Sequence, residues 1–387
     1  MSRPKSLTVE EPVKLIFTGG FLGSGKTTAL AALARDLIRR DKRVGIITND
    51  QSENLADTLI VRQMLNELGV PVEEVVEGCF CCKFDELIDQ IEKILEHRPQ
   101  ILMGEPVGSC TDFVAAVANP IKIHYRDMFQ FAPFSTVVDP DRVRELLLEE
   151  TETNFPEEVA YLFEKQLEEA DVIVLNKIDL IDDAEKERLI SALKKRFQHK
   201  EVMAVSAKHG DGMQVWLDGL LSGRPGANTV LRQIDYDRYA TAEAVLGWLN
   251  AALKLTAEKP FDTRHYIVSL ARRIRDEFIP QKAEIGHLKF VMTSAGKSMW
   301  ANLTNLHGEP TVSDVSLGEL SQASLIVNAR VRVEPEILET VVRKALLSVS
   351  EQKTIHYEVI DLQCFSPAYP DPPYLMRESI EVENDQH

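Results

Sequence analysis

The chain lacks long hydrophobic runs, and its acidic residues outnumber its basic ones. None of its 387 residues lies in an uninterrupted apolar run of the roughly eighteen residues that cross a bilayer. There are 61 Asp and Glu residues against 44 Lys and Arg, and the resulting net charge of -17 repels nucleic-acid phosphates. The N-terminus has no apolar core or cleavage site of a signal peptide. We therefore expect a cytoplasmic protein with neither a membrane nor a nucleic acid as partner.

Cysteine is scarce as well, but it is concentrated in one place. Of five cysteines, Cys79, Cys81 and Cys82 lie together in the segment GCFCC. The odd total and a reducing compartment both disfavour a disulfide framework. Three interpretations remain open for the cluster: a transition-metal site, a redox-active thiol pair, or buried unliganded thiols. The isolated Cys364 is assigned to the last group.

Apolar runs alternate with amphipathic stretches over the first part of the chain. Continuous apolar strands between helices predict a mostly parallel sheet covered on both faces, and therefore an α/β domain. The predicted strands are 13–17, 43–48, 101–103, 134–138, 171–175 and 202–205, and the predicted helices are 27–40 and 85–97.

The pattern changes where Gly, Pro, Ser and Asn cluster at 221–228. Mixed hairpins and two helices follow, which predicts a smaller α+β domain with a ferredoxin-like arrangement as one candidate. Residues 242–255 fit either a strand or a helix, and Trp216, Trp248 and Trp300 are assigned to the core. The predicted divisions are a P-loop domain at 1–222, a linker at 223–235, the α+β domain at 236–366 and a flexible acidic tail at 367–387.

The strongest motif is GFLGSGKT, from Gly20 to Thr27, between an apolar strand and a helix. This pattern and its flanks are those of a P-loop, whose backbone N–H groups bind phosphates. Lys26 is expected to contact the β- and γ-phosphates, and the Thr27 hydroxyl is expected to bind Mg²⁺. The remaining residues expected to bind the nucleotide here are Gly20, Gly23, Ser24, Gly25 and Thr28.

A second motif indicates which base is bound. Asn176, Lys177 and Asp179 follow an apolar strand as NKID, and Ser206, Ala207 and Lys208 follow the next strand as SAK. A carboxylate at Asp179 accepts hydrogen bonds from both the ring N–H and the amino group of guanine, a donor pair that adenine lacks. Ligands bind at the carboxyl ends of such strands. The predicted nucleotide is GTP.

Acidic residues follow two other strands. Glu105 precedes Gly108 in an E-x-x-G segment, where an acid near Mg²⁺ and a γ-phosphate-sensing N–H are expected. Asp50 and Glu53 follow the second strand, and either is a candidate to orient water or bind the metal. A solvated acidic loop fits them equally well. Lys26, Glu105 and Asp50 are the candidate catalytic residues, and no water-activating base is assigned.

These motifs together resemble the CobW-type metal chaperone GTPases, a P-loop group that also holds the HypB, UreG and MeaB types. The resemblance is carried by residues 19–28, the E-x-x-G segment, NKID and above all GCFCC. It implies GTP hydrolysis, a bound Co²⁺, Zn²⁺, iron or Ni²⁺ ion, a client protein and possible dimerisation. The chain departs from the family in reading TND after its second strand, Pro-Val after Glu105, and no His-rich tract. The missing tract puts zinc as cargo in doubt.

The resemblance makes a metal the leading interpretation of the cysteines. Three thiolates at Cys79, Cys81 and Cys82 form most of a tetrahedral shell for Co²⁺ or Zn²⁺, if a turn at Gly78 lets them converge. Water, a partner or Cys110 would complete the shell. The leading function is a GTP-switched metallochaperone that delivers metal to a client protein or cofactor. Two alternatives are a GTPase that assembles or reactivates a cobalamin- or metal-dependent enzyme around a structural metal, and a thiol redox sensor. Residues 235–250 look like a subgroup segment and receive no role.

Overall fold

The computed structural model describes residues 9–49, 56–65, 68–150, 152–352 and 354–378. The first domain contains strands β1 (Val13–Gly19), β2 (Val44–Asn49), β3 (Val72–Val75), β4 (Ile101–Glu105), β5 (Phe129–Phe131), β6 (Ser135–Val138), β7 (Val172–Leu175) and β8 (Glu201–Ala204). Its helices are α1 (Lys26–Arg39), α2 (Ala56–Leu65), α3 (Phe84–Leu95), α4 (Asn119–His124), α5 (Pro140–Arg142), α6 (Glu157–Glu169), α7 (Asp183–Arg196) and α8 (Met213–Leu221).

The strands of the first domain form one sheet in the order β3-β2-β4-β1-β6-β7-β8, with β5 paired to β1. Every pairing in this sheet is parallel, so the predicted α/β fold is confirmed. Strand β1 lies between β4 and β6, where the strand order reverses. Open parallel sheets bind ligands beyond the carboxyl ends of their strands at such a switch point. The P-loop follows β1 at this position.

The second domain has strands β9 (Gly247–Asp262), β10 (Ile285–Ser294), β11 (Lys297–Leu303), β12 (Thr311–Val312), β13 (Glu319–Val331) and β14 (Ile355–Phe365). Its helices are α10 (Thr263–Phe278) and α11 (Pro335–Gln352), and α9 (Tyr236–Ala244) precedes it. The sheet is antiparallel, in the order β12-β11-β10-β13-β9-β14. Without the β11 and β12 addition, this is the β-α-β-β-α-β order of a ferredoxin-like domain. The ambiguous segment 242–255 contains the end of α9 and the start of β9.

Each domain has its own hydrophobic core, and a small cluster joins the two. Trp216 and Trp248 are buried, as expected, whereas Trp300 is only half-buried. Trp300 packs against a cluster formed by Ala56, Ile60 and Val291, which connects α2 to the second domain. No helix in the described ranges is long and apolar enough to cross a membrane.

Residues 367–378, the described part of the predicted flexible tail, contact the first domain. The backbone N–H of Met376 donates to the carbonyl of Ala115 at 2.8 Å. The Arg377 guanidinium forms two hydrogen bonds with Asp112, at 3.0 and 2.7 Å. The Pro-rich, acidic composition predicted that this segment is flexible. Composition does not reveal that a buried carboxylate, Asp112, pairs with Arg377. Residues 379–387 lie outside the described ranges.

Candidate functional site

The P-loop connects β1 to α1 through backbone conformations that favour glycine. Gly20 and Gly25 have φ values of 132° and 94°, in the region that L side chains rarely adopt. A Cβ atom on Gly20 would lie 2.1 Å from the carbonyl oxygen of Val137, and one on Gly25 would lie 2.5 Å from Asn176 Nδ2. Neighbouring backbone and side chains therefore press directly against the loop and fix its shape.

The two chemical side chains of the P-loop are both buried. Lys26 Nζ donates to the carbonyl oxygens of Gly20 at 2.8 Å and Phe21 at 3.2 Å. This holds the ammonium inside the curve of the loop, where phosphates bind in this motif. Burial lowers the pKa of Lys26, and the nearby carboxylate of Glu105 opposes that shift.

Thr27 lies between two carboxylates. Its Oγ1 is 2.7 Å from Asp57 Oδ1 and 2.9 Å from Glu105 Oε1, and its single hydrogen serves one of them at a time. Burial, followed by the charge of Asp57, raises the pKa of Glu105 to about 7. Glu105 Oε2 is buried without a hydrogen-bond partner among the described residues. This set of hard oxygen donors fits Mg²⁺.

The NKID and SAK segments meet beside the P-loop. Asn176 Nδ2 donates to the Ser24 carbonyl at 2.9 Å, and Asn176 Oδ1 accepts from the N–H of Ala207 at 3.0 Å. Asn176 therefore ties the P-loop to the SAK segment. Asp179 Oδ1 accepts from Ser206 Oγ at 2.6 Å, which orients the carboxylate that is expected to recognise the base.

The other residues predicted to bind the nucleotide differ in their contacts. Gly108 lies against the P-loop, because a Cβ there would be 2.5 Å from Leu22 Cδ2. Lys177 Nζ lies 3.6 Å from Asp139 Oδ2. No side-chain hydrogen bond to a described residue defines a role for Thr28 or Lys208. Asp50 and Glu53 lie outside the described residues, so their predicted roles stay predictions.

The GCFCC segment forms a turn that is anchored to the end of β2. The N–H groups of Cys82 and Lys83 donate to the carbonyl of Cys79 at 3.0 and 2.9 Å. Asn49 Nδ2 donates to the Gly78 carbonyl at 2.7 Å, and Asn49 Oδ1 accepts from the N–H of Phe80 at 2.9 Å. One side chain therefore fixes the position of the cysteine turn relative to β2.

The thiols lie close together as two pairs. Cys79 Sγ is 3.2 Å from Cys82 Sγ, and Cys81 Sγ is 3.1 Å from Cys110 Sγ. Within the described part of the chain, no three His, Cys, Asp or Glu side chains are arranged to hold a metal ion. The expected convergence of three thiols on one point is therefore absent from this conformation. The thiols instead follow one another in the order Cys82, Cys79, Cys81 and Cys110, because Cys79 is hydrogen-bonded to both Cys82 and Cys81.

The environment of the thiols favours their neutral form. The hydrogen bond from Cys81 and burial raise the pKa of Cys79, and the hydrogen bond with Cys110 and burial raise that of Cys81. For Cys110, the hydrogen bond with Cys81 lowers the pKa, but burial and the nearby negative charges of Cys79, Glu169 and Glu243 together raise it to about 12. A bound cation would reverse this preference, because metal ligands are thiolates.

The protein-family model for the CobW/HypB/UreG nucleotide-binding domain matches residues 14–204, about half of the chain. Residues 14–204 are a nucleotide-binding domain of the CobW/HypB/UreG family.

The curated relatives of this domain are longer than the matched region. The chain is 30% identical over 217 residues to a zinc chaperone CobW of Sinorhizobium sp, covering 52% of this chain and 60% of that protein. It is 26% identical over 181 residues to zinc-regulated GTPase metalloprotein activator 1 of Schizosaccharomyces pombe, covering 44% and 40%. The chain therefore spans about half the length of the curated relatives that it matches.

Two solved structures are similar at low sequence identity. HypB from Helicobacter pylori in complex with nickel is 16% identical with a TM-score of 0.40, covering 58% of this chain and 93% of that one. Zn(II)-bound YjiA GTPase from E. coli is 14% identical with a TM-score of 0.33, covering 87% and 99%.

Sequence reasoning missed four residues that surround the site in this CobW-type domain. Asp57 could not be recognised from the sequence, because acidic residues are common in the first turn of a helix, where the helix dipole stabilises them. Asn49 was noticed only as part of a departure from the family pattern. Lys289 and Glu243 lie in or next to the second domain, and only tertiary packing brings them to the site.

Glu243, on α9, lies close to the cysteine cluster. The side chain is 3% exposed, and its Oε1 has no hydrogen-bond partner among the described residues. Burial raises its pKa to about 8, and its charge contributes to the raised pKa values of Cys79 and Cys110. The segment that received no role from the sequence therefore covers the thiol cluster.

Proposed function

We propose that the chain is a GTP-hydrolysing metallochaperone that binds a transition metal at its cysteine cluster and delivers it to a client metalloprotein or cofactor. The position of Asn49 is the main observation that supports this function. Its Oδ1 accepts from the N–H of Phe80 and lies 3.4 Å from the N–H of Val107, within the E-x-x-G segment. One amide group therefore contacts both the cysteine turn and the nucleotide-sensing segment.

The path from nucleotide to thiols is short and contiguous. Thr27 contacts Glu105, the chain continues from Glu105 to Val107, and Val107 contacts Asn49. Asn49 in turn holds Gly78 and Phe80 at the start of the cysteine turn. A displacement of the E-x-x-G segment on hydrolysis therefore alters the support of the turn. Order and disorder of such segments is a common output of GTP hydrolysis.

Each nucleotide-site residue has a defined task in this proposal. Lys26 neutralises the β- and γ-phosphates, and Asp179 accepts both guanine donors. Thr27, Asp57 and Glu105 supply oxygen ligands for Mg²⁺, which when bound neutralises charge that develops on the phosphates. The buried position of these groups strengthens their electrostatic effect, because little water screens them.

The cargo follows from the chemistry of the thiols. Soft sulfur ligands favour Zn²⁺ or Co²⁺ and disfavour Mg²⁺, so cargo and nucleotide metal occupy separate sites. Cys79, Cys81 and Cys82 are the proposed ligands, and Cys110 is the proposed fourth, since its Sγ already contacts Cys81. The two thiol pairs must rearrange to bind one ion, and loosening of the Asn49 contacts permits that.

A second candidate is a GTPase that assembles or reactivates a cobalamin- or metal-dependent enzyme and keeps its own metal as a structural element. Burial favours it, because Cys79 and Cys81 are each only 4% exposed and Cys110 is 6% exposed. An ion enclosed there would exchange slowly. The candidate requires that the metal stay bound through rounds of GTP hydrolysis.

The test replaces Cys79, Cys81 and Cys82 by serine and measures Co²⁺ and Zn²⁺ binding to the protein with GTP. Cys364→Ser is the matched control, because Cys364 lies on β14 away from the cluster. We expect one tightly bound ion, with thiolate–Co²⁺ absorption, in the wild type and the control, and none in the triple variant. Unaltered affinity in the triple variant would contradict the proposal. Retention of the ion through GTP turnover would favour the second candidate.

A further inference from the structure

The second domain places a lysine inside the nucleotide site of the first. Lys289, on β10, forms an ion pair with Asp57, the carboxylate that also accepts from Thr27 Oγ1. Both side chains of the pair are largely buried, at 15% and 14% exposure. Although burial acts to raise the pKa of Asp57, the ammonium of Lys289 holds that pKa below its usual value.

The backbone of β10 also touches the P-loop itself. A Cβ atom on Gly23 would lie 2.7 Å from Thr304 Cγ2 and 3.3 Å from the carbonyl oxygen of Gly286. Arg142, in the first domain, donates to the carbonyls of Ile285 and Thr304 at 2.7 Å each. The first residues of β10 are therefore fixed against the phosphate-binding loop.

A second side chain on the same face of β10 supports this placement. His287 lies two positions before Lys289, so both point to one side of the strand. It is 7% exposed, and its Nδ1 has no partner among the described residues. Burial lowers its pKa well below the usual value, and the charges of Lys289, Arg330 and Lys26 add to that effect. This face of β10 therefore adjoins the P-loop lysine.

The balance of charge indicates what Lys289 does. Lys26 and Lys289 provide two buried positive charges, and Asp57 and Glu105 provide two negative ones. A nucleoside triphosphate adds more negative charge than Mg²⁺ removes, so the loaded site needs every cation that the chain supplies. Asp57 would be neutralised by Mg²⁺ in the loaded site, and the Lys289 ammonium would then be available to contact a phosphate oxygen.

We propose that Lys289 is a phosphate-binding residue supplied by the second domain, so that the domain interface forms part of the triphosphate site. The proposal rests on the proposed function, in that it assumes a nucleoside triphosphate at the P-loop. It adds a consequence: loss of the γ-phosphate removes one of the contacts between β10 and the site. The second domain, which also packs on α2 through Ala56, Ile60 and Val291, therefore responds directly to the nucleotide state.

The test measures binding of a fluorescent non-hydrolysable GTP analogue and of fluorescent GDP, both with Mg²⁺. The variants are Lys289→Met, Lys289→Arg and Asp57→Asn, and the control is Lys297→Met, an exposed lysine on the neighbouring strand β11. We expect Lys289→Met to weaken binding of the triphosphate analogue by about tenfold or more and that of GDP far less, since one charge-assisted contact is lost. Lys289→Arg should retain most of the affinity, and Lys297→Met all of it.

Other outcomes separate this proposal from simpler ones. Equal weakening of both nucleotides by Lys289→Met, matched by Asp57→Asn, would mean that Lys289 only supports Asp57, and would overturn the proposal. Unchanged binding in Lys289→Met would overturn it as well. A wild-type protein that binds neither nucleotide would instead overturn the proposed function. Thermal unfolding of each variant identifies any that fail to fold, and the charge-conserving arginine variant keeps the comparison interpretable.

Discussion

Thr27 Oγ1 lies 2.9 Å from Glu105 Oε1, although 78 positions separate the two residues in the chain. This contact joins the P-loop to the end of β4 and places a buried carboxylate at the proposed Mg²⁺ position. Glu105 also begins the E-x-x-G segment. The Val107 N–H of that segment contacts Asn49, which in turn holds the cysteine turn. The Thr27–Glu105 contact is therefore the point at which nucleotide chemistry and the thiol cluster are connected.

Glu105→Gln should remove most GTP hydrolysis. The substitution keeps the shape of the side chain but takes away the charge that complements Mg²⁺, so we expect kcat to fall by about a hundredfold or more. Hydrolysis measured over a Mg²⁺ titration should require more metal for half-maximal rate. Glu96→Gln, at an exposed position after α3, is the control and should behave as wild type. Normal Mg²⁺ dependence in Glu105→Gln would remove Glu105 from the site.

Asp179→Asn should change the base preference. The amide cannot accept from both guanine donors, so GTP affinity should fall by about a hundredfold or more. Xanthine carries a carbonyl in place of the guanine amino group, and the amide N–H₂ complements it. Competition between GTP and XTP for the protein measures the change. Equal affinity for GTP in the variant and the wild type would show that Asp179 does not contact the base.

Arg377→Met should destabilise the first domain. Asp112 is fully buried, and Arg377 and the Tyr236 hydroxyl are its side-chain partners in the structure. Loss of the guanidinium leaves a buried carboxylate without a cation, which costs about 3 to 5 kcal/mol of unfolding free energy. Urea denaturation of Arg377→Met, Asp112→Asn and the double variant measures the coupling. We expect the double variant to recover much of the loss, and strictly additive losses would contradict the pairing.

Glu169 should make stability depend on pH. Its side chain accepts from the N–H of Val114 at 2.6 Å, and burial, followed by the charge of Asp112, raises its pKa to about 8 from a usual 4.5. The folded state therefore holds this proton more tightly than the unfolded chain. The resulting stabilisation is complete below pH 4.5 and is lost as the pH rises to about 8.

Unfolding free energy measured from pH 5 to pH 9 should therefore decline in the wild type. Glu169→Gln keeps the hydrogen-bond acceptor but cannot ionise, so its curve should be flatter, by a few kcal/mol in all. Glu243, whose pKa is raised in the same direction, preserves part of the slope in the variant. Glu157→Gln, exposed on the same helix, should follow the wild type. Parallel wild-type and Glu169→Gln curves would contradict the assignment.

Sequence predicted the parts of this molecule that depend on local pattern. The P-loop, NKID and SAK segments each follow a strand, and parallel pairing brings the ends of those strands together whatever the details of packing. Asp57 could not be found in this way, because it lies in the first turn of a helix, where acidic residues are common. Lys289 could not be found either, because its role arises only when the second domain docks on α2. The contact of Arg377 with Asp112 could not be predicted for a similar reason, since 265 positions separate the two residues in the chain.

The cysteines show a different limit. Their spacing predicted a shared ligand set, but among the described residues the thiols form a row from Cys82 through Cys79 and Cys81 to Cys110 and do not converge on one point. Backbone hydrogen bonds and Asn49 determine the cysteine turn, and neither can be read from a spacing of thiols. Cys110 was one of three candidates for the fourth ligand, and its Sγ lies 3.1 Å from Cys81 Sγ.

The most direct test of the account is the metal affinity of the wild-type protein in its different nucleotide states. Zn²⁺ and Co²⁺ are titrated into protein loaded with a non-hydrolysable GTP analogue and into protein loaded with GDP, at one Mg²⁺ concentration. The account predicts one site per chain whose affinity differs by about tenfold or more between the two states, the range of ordinary coupling between sites. Identical affinity in both states would contradict a nucleotide-switched metallochaperone.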